Sequence, residues 1–100
     1  MSFGLKQDVI DQINAIFSKY KKIDKVVVYG SRAKGNHKSY SDIDLCVFSE
    51  NITLTTLQKV EVEIDDLLLP YKMDISIFHQ IDNKELKEHI TRIGKLFYEK

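Results

Sequence analysis

Ten residues separate the Gly30-Ser31 step from Asp42, and a single isoleucine separates Asp42 from Asp44. The run Lys25-Val26-Val27-Val28-Tyr29 before that step is β-branched and unbroken, which predicts a buried strand. Gly30-Ser31 turns the chain out of the sheet, and a second strand begins at the aspartates. Residues i and i+2 of a strand point to one face, so the two carboxylates lie side by side. Like charges that close raise each other's pKa unless a cation lies between them. A hard divalent ion such as Mg²⁺ takes one or two carboxylates plus phosphate oxygens. The Gly-Ser turn offers backbone N–H groups and a hydroxyl suited to those phosphates. The pattern reads as a metal-nucleotide site.

Hydrophobic spacing sets out the other elements. Leu5, Val9, Ile13, Ile16, Phe17 and Tyr20 form a helical stripe, predicting a first helix over 5–20. A polar, glycine-containing loop over 31–41 joins the strands at 25–29 and 43–48. In the second strand Ile43, Leu45 and Val47 face the core, while Asp42, Asp44, Cys46 and Phe48 face the other way. A second helix over 55–69 turns Leu57, Val60, Ile64, Leu67 and Leu68 inward. Thr55 and Gln58 have capping-box spacing there, and Pro70 supplies the stop. The third strand, 72–78, alternates Met73, Ile75 and Ile77 against Asp74, Ser76 and Phe78. A third helix starts near Asp82 or Asn83, uses Leu86, Ile90 and Ile93, and ends at Gly94. Leu96-Phe97-Tyr98 closes the chain as a short edge strand.

Asp74 is the third carboxylate of interest. If the second and third strands are neighbours, it lies within side-chain reach of Asp42 and Asp44. Three carboxylates on one face are costly without cations, and two Mg²⁺ ions would neutralise them and clamp an in-line phosphoryl or nucleotidyl transfer. The plainer reading has Asp42 capping a turn, Asp44 solvated and Asp74 paired with a lysine; it must hold for all three at once. Arg32, Lys34, His37 and Lys38 share the loop, where a basic cluster either stays solvated or touches a triphosphate. Arg32 and Lys34 are the contacts expected of it. Gly30 to Gly35 mimics the first half of a P-loop, but Asn36-His37 stands where Lys-Ser/Thr is required. His37, His79 and His89 lack paired zinc spacing. Cys46 reads as a small buried hydrophobe. Tyr40 either stacks on a base or is an ordinary loop tyrosine.

Fifteen basic and fifteen acidic residues cancel, so no global field draws the chain to nucleic acid or to a membrane. Lys19, Lys21, Lys22 and Lys25 then read as a solvated face. One cysteine excludes an internal disulfide and suits a reducing compartment. With no signal-like N-terminal run, the expectation is a soluble, cytoplasmic protein. One hundred residues make one domain, 1–100, with a modest core and no deep cleft.

The stretch GSRAKGNHKSYSDIDL resembles the minimal nucleotidyltransferases of the DNA polymerase beta-like nucleotidyltransferase superfamily. The likeness spans nearly the whole chain. It implies a small α/β (α+β) fold, a mixed sheet backed by helices. It implies that Gly30 and Ser31 hold the nucleotide phosphates and that Asp42 and Asp44 bind the metals. Asp74 would complete the site and help deprotonate the acceptor hydroxyl. Mg²⁺ (two ions, Mn²⁺ as a substitute) and ATP follow as cofactor and substrate. Minimal members pair with a helical HEPN-domain protein as antitoxin and toxin, and the resemblance implies transfer of AMP to a hydroxyl of that partner within a homo- or hetero-oligomer. Two other classes compete: a module that masks a helical partner by contact alone, and an antibiotic-type enzyme acting on a small molecule. The second is weakened by the lack of the second domain in which larger relatives bind base and acceptor.

Overall fold

The computed structural model describes residues 2–100. Helix α1 covers Gln7–Phe17, followed by β1 at Lys25–Tyr29, the one-turn α2 at Ser31–Lys34 and β2 at Ile43–Phe48. Helix α3 is Leu54–Asp65, β3 is Met73–Ile77, α4 is Lys84–Ile93 and β4 is Lys95–Glu99. The sheet runs β3-β2-β1-β4. β1 pairs antiparallel with both β2 and β4, whereas β2 and β3 are parallel and need α3 as their crossover. This is the mixed sheet backed by helices that the resemblance implied.

Both sheet faces are covered. Val26, Val28, Ile43, Leu45, Val47, Ile75 and Ile77 pack with Ile13, Phe17, Leu57, Val60 and Ile64 of α1 and α3. On the opposite face Tyr29, Cys46 and Ile90 form a smaller cluster with Val27, Phe48, Phe78 and Leu86. α4 therefore backs the face that carries the aspartates, and its His89 reaches the Gly30 end of β1. Gly94 makes that packing possible. Its φ of −57° is not the left-handed cap expected of a terminal glycine. A Cβ there would instead collide with Val27 and with the Ile90 carbonyl.

Several boundaries differ from expectation. α1 is shorter at both ends, and α3 ends at Asp65, with Leu68 at φ 56° and 87% exposed rather than inward. Pro70 disfavours helical geometry at Leu69, so the leucine run breaks into a turn. The N-cap of α3 is Thr53, which accepts from the Thr56 N–H (3.2 Å), and not Thr55. Ser49 sets that entry by accepting from the Asn51 and Ile52 N–H groups. Thr53→Ala should therefore cost about 1 kcal/mol, while Thr55→Ala stays within about 0.5 kcal/mol. Urea melts of the two variants decide between the caps; equal losses would put the cap elsewhere. No helix among the described residues is long and apolar enough to cross a membrane.

Candidate active site

The C-terminal end of β1 and the N-terminal ends of β2 and β3 bring the singled-out residues together. Tyr29 stands opposite Asp44, and Asp44 stands opposite Asp74 in the parallel register. Neighbouring strands lie about 4.8 Å apart, so these side chains share one face at near contact. Asp42 immediately precedes β2 and is exposed, as is Asp74. Asp44 is half-buried, and its carboxyl is pushed above the ordinary carboxylate range, first by burial and then by the charges of Asp74 and Asp42. Arg32 offsets part of that rise. The site is a patch of negative charge that Arg32 relieves only in part.

The patch fits a divalent ion that arrives with its own oxygen ligands. Among the described residues, no three ligating side chains close on one point as a ready-made cage. Mg²⁺ does not require one, because it retains waters and takes one or two carboxylates plus substrate phosphates. The elevated carboxyl of Asp44 is what a nearby cation would relieve.

Gly30 joins this patch to the phosphate-suited turn. Its φ of 74° favours glycine, and a Cβ there would stand 2.5 Å from Oδ2 of Asp44. Glycine thus lets the turn lie directly against the carboxylate. The Gly30 N–H is already engaged, donating to Nε2 of His89 at 3.2 Å. The His89 ring also stands edge-on to Tyr29, with centroids 6.1 Å apart. The donors left to face an anion are the Ser31 hydroxyl and the first N–H groups of α2, which no helical carbonyl can satisfy. Gly30 serves by its conformation rather than its amide.

Arg32 departs from the role expected of it. It is 2% exposed and turned inward. Nη1 donates to the Phe3 carbonyl at 2.8 Å, and Nη2 and Nε donate to the Ser41 carbonyl at 2.9 and 3.2 Å. Nη2 also reaches the Ser39 carbonyl at 3.4 Å, and the guanidinium lies over the Tyr71 ring. Its donors are spent on the backbone, where they tie the N-terminal turn and the segment before Asp42 to α2. His37 is half-buried beside it, against Gly4. Lys34 is exposed.

Two neighbours of the carboxylates carried no signal in the sequence. His89 meets Gly30 across 59 residues, and no local spacing announces such a contact. In the sequence Tyr29 marks only the end of a strand. Its phenol is nearly buried, and burial, with the charges of Asp74 and Asp44, raises its pKa, partly offset by Ser76. Cys46 behaves as expected: burial pushes its thiol up to about 11, far from a nucleophile's range. On the outer side of β3 a cleft of about 320 Å³ opens beside Asp74, lined also by Glu61, Asp65 and Met73.

Comparison with known proteins gives this arrangement a context. Residues 11–100 match the family described as Polymerase beta, Nucleotidyltransferase. Two proteins of Methanocaldococcus jannaschii that carry the name "Putative protein adenylyltransferase" are each 33% identical to the chain. The alignments cover 81% of this chain and 90% of one relative, and 76% of this chain and 70% of the other. Among solved structures, a chain from the complex of tri-AMPylated Shewanella oneidensis HEPN toxin with MNT antitoxin has a similar fold. Its TM-score is 0.69 at 14% identity, over 96% of this chain and 74% of that one.

Proposed function

Because the chain belongs to the polymerase beta nucleotidyltransferase family, we propose that it moves AMP from ATP onto a hydroxyl of a helical protein partner, as the antitoxin of a HEPN-type pair. The observation that carries this reading is the in-register pairing of Asp44 with Asp74 beside a glycine that admits the Asp44 carboxylate. The names of the two archaeal relatives and the AMPylated complex support the choice of AMP and of a protein acceptor.

In this reading the residues divide the work as follows. Asp42, Asp44 and Asp74 would hold two Mg²⁺ ions, and such ions, when bound, would supply neutralisation of the charge that these carboxylates and the phosphates bring together. Gly30 shapes the turn, Ser31 donates to the β- and γ-phosphates, and Lys34 adds a mobile charge at the rim. The acceptor oxygen attacks the α-phosphorus as the bond to the bridging oxygen breaks, and pyrophosphate leaves. Asp74, at the sheet edge beside the open cleft, takes the acceptor's proton. Catalysis is positioning plus charge neutralisation, carried out by a single domain in the ATP-rich cytoplasm.

Two measurements test this. Titration calorimetry should find ATP binding with Mg²⁺ or Mn²⁺ and at least about tenfold weaker binding in EDTA, because bare carboxylates repel a triphosphate. Equal affinity in both would remove the metal from the reading. Co-expression with a helical partner, followed by intact-mass spectrometry, should show the partner heavier by one or more AMP units. A partner neutralised without added mass, and equally well by Asp74→Asn, would make the chain a masking module instead.

A further inference from the structure

Tyr40 stands apart from every other aromatic side chain. The chain has five phenylalanines and five tyrosines; all the phenylalanines and four of the tyrosines pack into one of the two apolar clusters, and Tyr40 alone belongs to neither. Its side chain is 80% exposed, so it contributes little to folding. Yet the backbone that carries it is tightly held. Lys38 to Ser41 form a turn closed by the Ser41 N–H to the Lys38 carbonyl (3.1 Å) and by the Lys38 N–H to the Ser41 Oγ (2.8 Å). The carbonyls on either side of Tyr40, those of Ser39 and Ser41, both accept from the buried Arg32 guanidinium. A free ring on a fixed backbone loses only two side-chain torsions on meeting a ligand, which keeps the entropic cost of binding low.

The ligand is indicated by position. Tyr40 lies two residues before Asp42, within about 7 Å along the backbone, at the rim of the carboxylate patch. A triphosphate held at Gly30, Ser31 and the aspartates with its nucleoside end toward that rim would bring its base to the Tyr40 ring. Among the described residues no other aromatic face is unengaged there. Its neighbours in sequence, Lys38 and Ser39, are polar and exposed, which suits the flat face of a base better than an apolar protein surface.

We propose that Tyr40 is the stacking platform for the nucleobase. This rests on the nucleotide-binding reading above and adds the contact that holds the base. The chain contains no tryptophan, so Tyr40→Trp provides a single reporter. With Mg²⁺ present, its fluorescence should be quenched by ATP and unaffected by inorganic tripolyphosphate. Tyr40→Ala should weaken ATP binding about 10- to 100-fold, the range expected for loss of one base–aromatic stack. Its affinity for tripolyphosphate should match wild type, and Tyr40→Phe should retain ATP affinity. Equal weakening for ATP and tripolyphosphate would overturn the proposal in favour of a distorted loop. Unchanged ATP affinity with lost capture of the protein partner would overturn it in favour of a partner contact. If the wild type bound neither ligand, the nucleotide site itself would fail and this proposal with it, an outcome distinct from a defect confined to Tyr40.

Discussion

Asp44→Asn is expected to reduce nucleotide transfer about 10²- to 10⁴-fold while leaving the folded protein at least as stable as its parent. The two halves of this result have one origin. If Asp44 holds a metal as proposed, loss of its carboxylate removes several kcal/mol of transition-state stabilisation, at about 1.4 kcal/mol per tenfold in rate. The same carboxylate is a burden in the metal-free fold, because burial and the charges of Asp74 and Asp42 all disfavour its ionised form. The sign follows from linkage. A carboxyl whose pKa is raised on folding binds its proton more tightly in the native state than in the unfolded chain. It therefore lowers stability as pH rises from the ordinary value near 3.8 through the raised one. Above that window the wild type carries the full penalty and the amide carries none. Thermal melts in EDTA should place Asp44→Asn level with or above wild type at pH 7, with the gap narrowing as pH falls. A variant that melts well below wild type, or that transfers at the normal rate, would show Asp44 to be structural.

Arg32→Met should have the opposite profile and unfold easily. Methionine fills much of the space but leaves the carbonyls of Phe3 and Ser41 without the donors that now satisfy them. Unsatisfied buried polar groups cost about 1–3 kcal/mol each, and relief from burying a cation returns part of that. A net loss of about 2–4 kcal/mol is expected, against a total stability of about 5–15 kcal/mol. At about 4–8 °C per kcal/mol for a domain of this size, the melting temperature should fall by about 10–30 °C. Arg32→Lys should recover only part of this, since an ammonium lacks the planar fork that spans several carbonyls. If Arg32 were instead a phosphate contact, Arg32→Met would melt normally and lose ATP affinity. Differential scanning calorimetry beside ATP titration separates the two.

Arg32 also shows where reading the sequence reached its limit. Strands β1, β2 and β3 were legible to within a residue, because β-branched runs and strict alternation leave few other choices. Asp42, Asp44 and Asp74 were legible for the same reason: strand parity fixes which residues share a face. An arginine in a glycine-containing loop carries no such parity. Whether it points to solvent or folds back depends on which carbonyls the tertiary structure brings beneath it, here those of Phe3 and Ser41. The His89–Gly30 contact was hidden likewise, because the helical pattern of α4 shows its apolar stripe but not which sheet face the stripe will cover. The start of α3 turned on a choice between Thr53 and Thr55, which the preceding Ser49 turn decided. Leu67 and Leu68 looked like continued helix, and the proline that stops it acts through the backbone of its predecessor rather than through hydrophobic pattern.

The strand order has a last consequence for how the site endures thermal motion. β2 lies inside the sheet with hydrogen-bonded neighbours on both sides, whereas β3 is bonded only to β2. Local opening begins where the fewest bonds must break. Fluctuations that fray the sheet will therefore lift Asp74 away while Asp44 stays seated. The constellation is divided into a permanent part and a detachable part. In its detached state the mutual repulsion vanishes, so the carboxylates' own charge favours the opening. Any cation that bridges Asp44 and Asp74 would act as a rivet across that seam. Cation binding and closure of the sheet edge would then become a single equilibrium, in which an empty site frays and a filled one is locked.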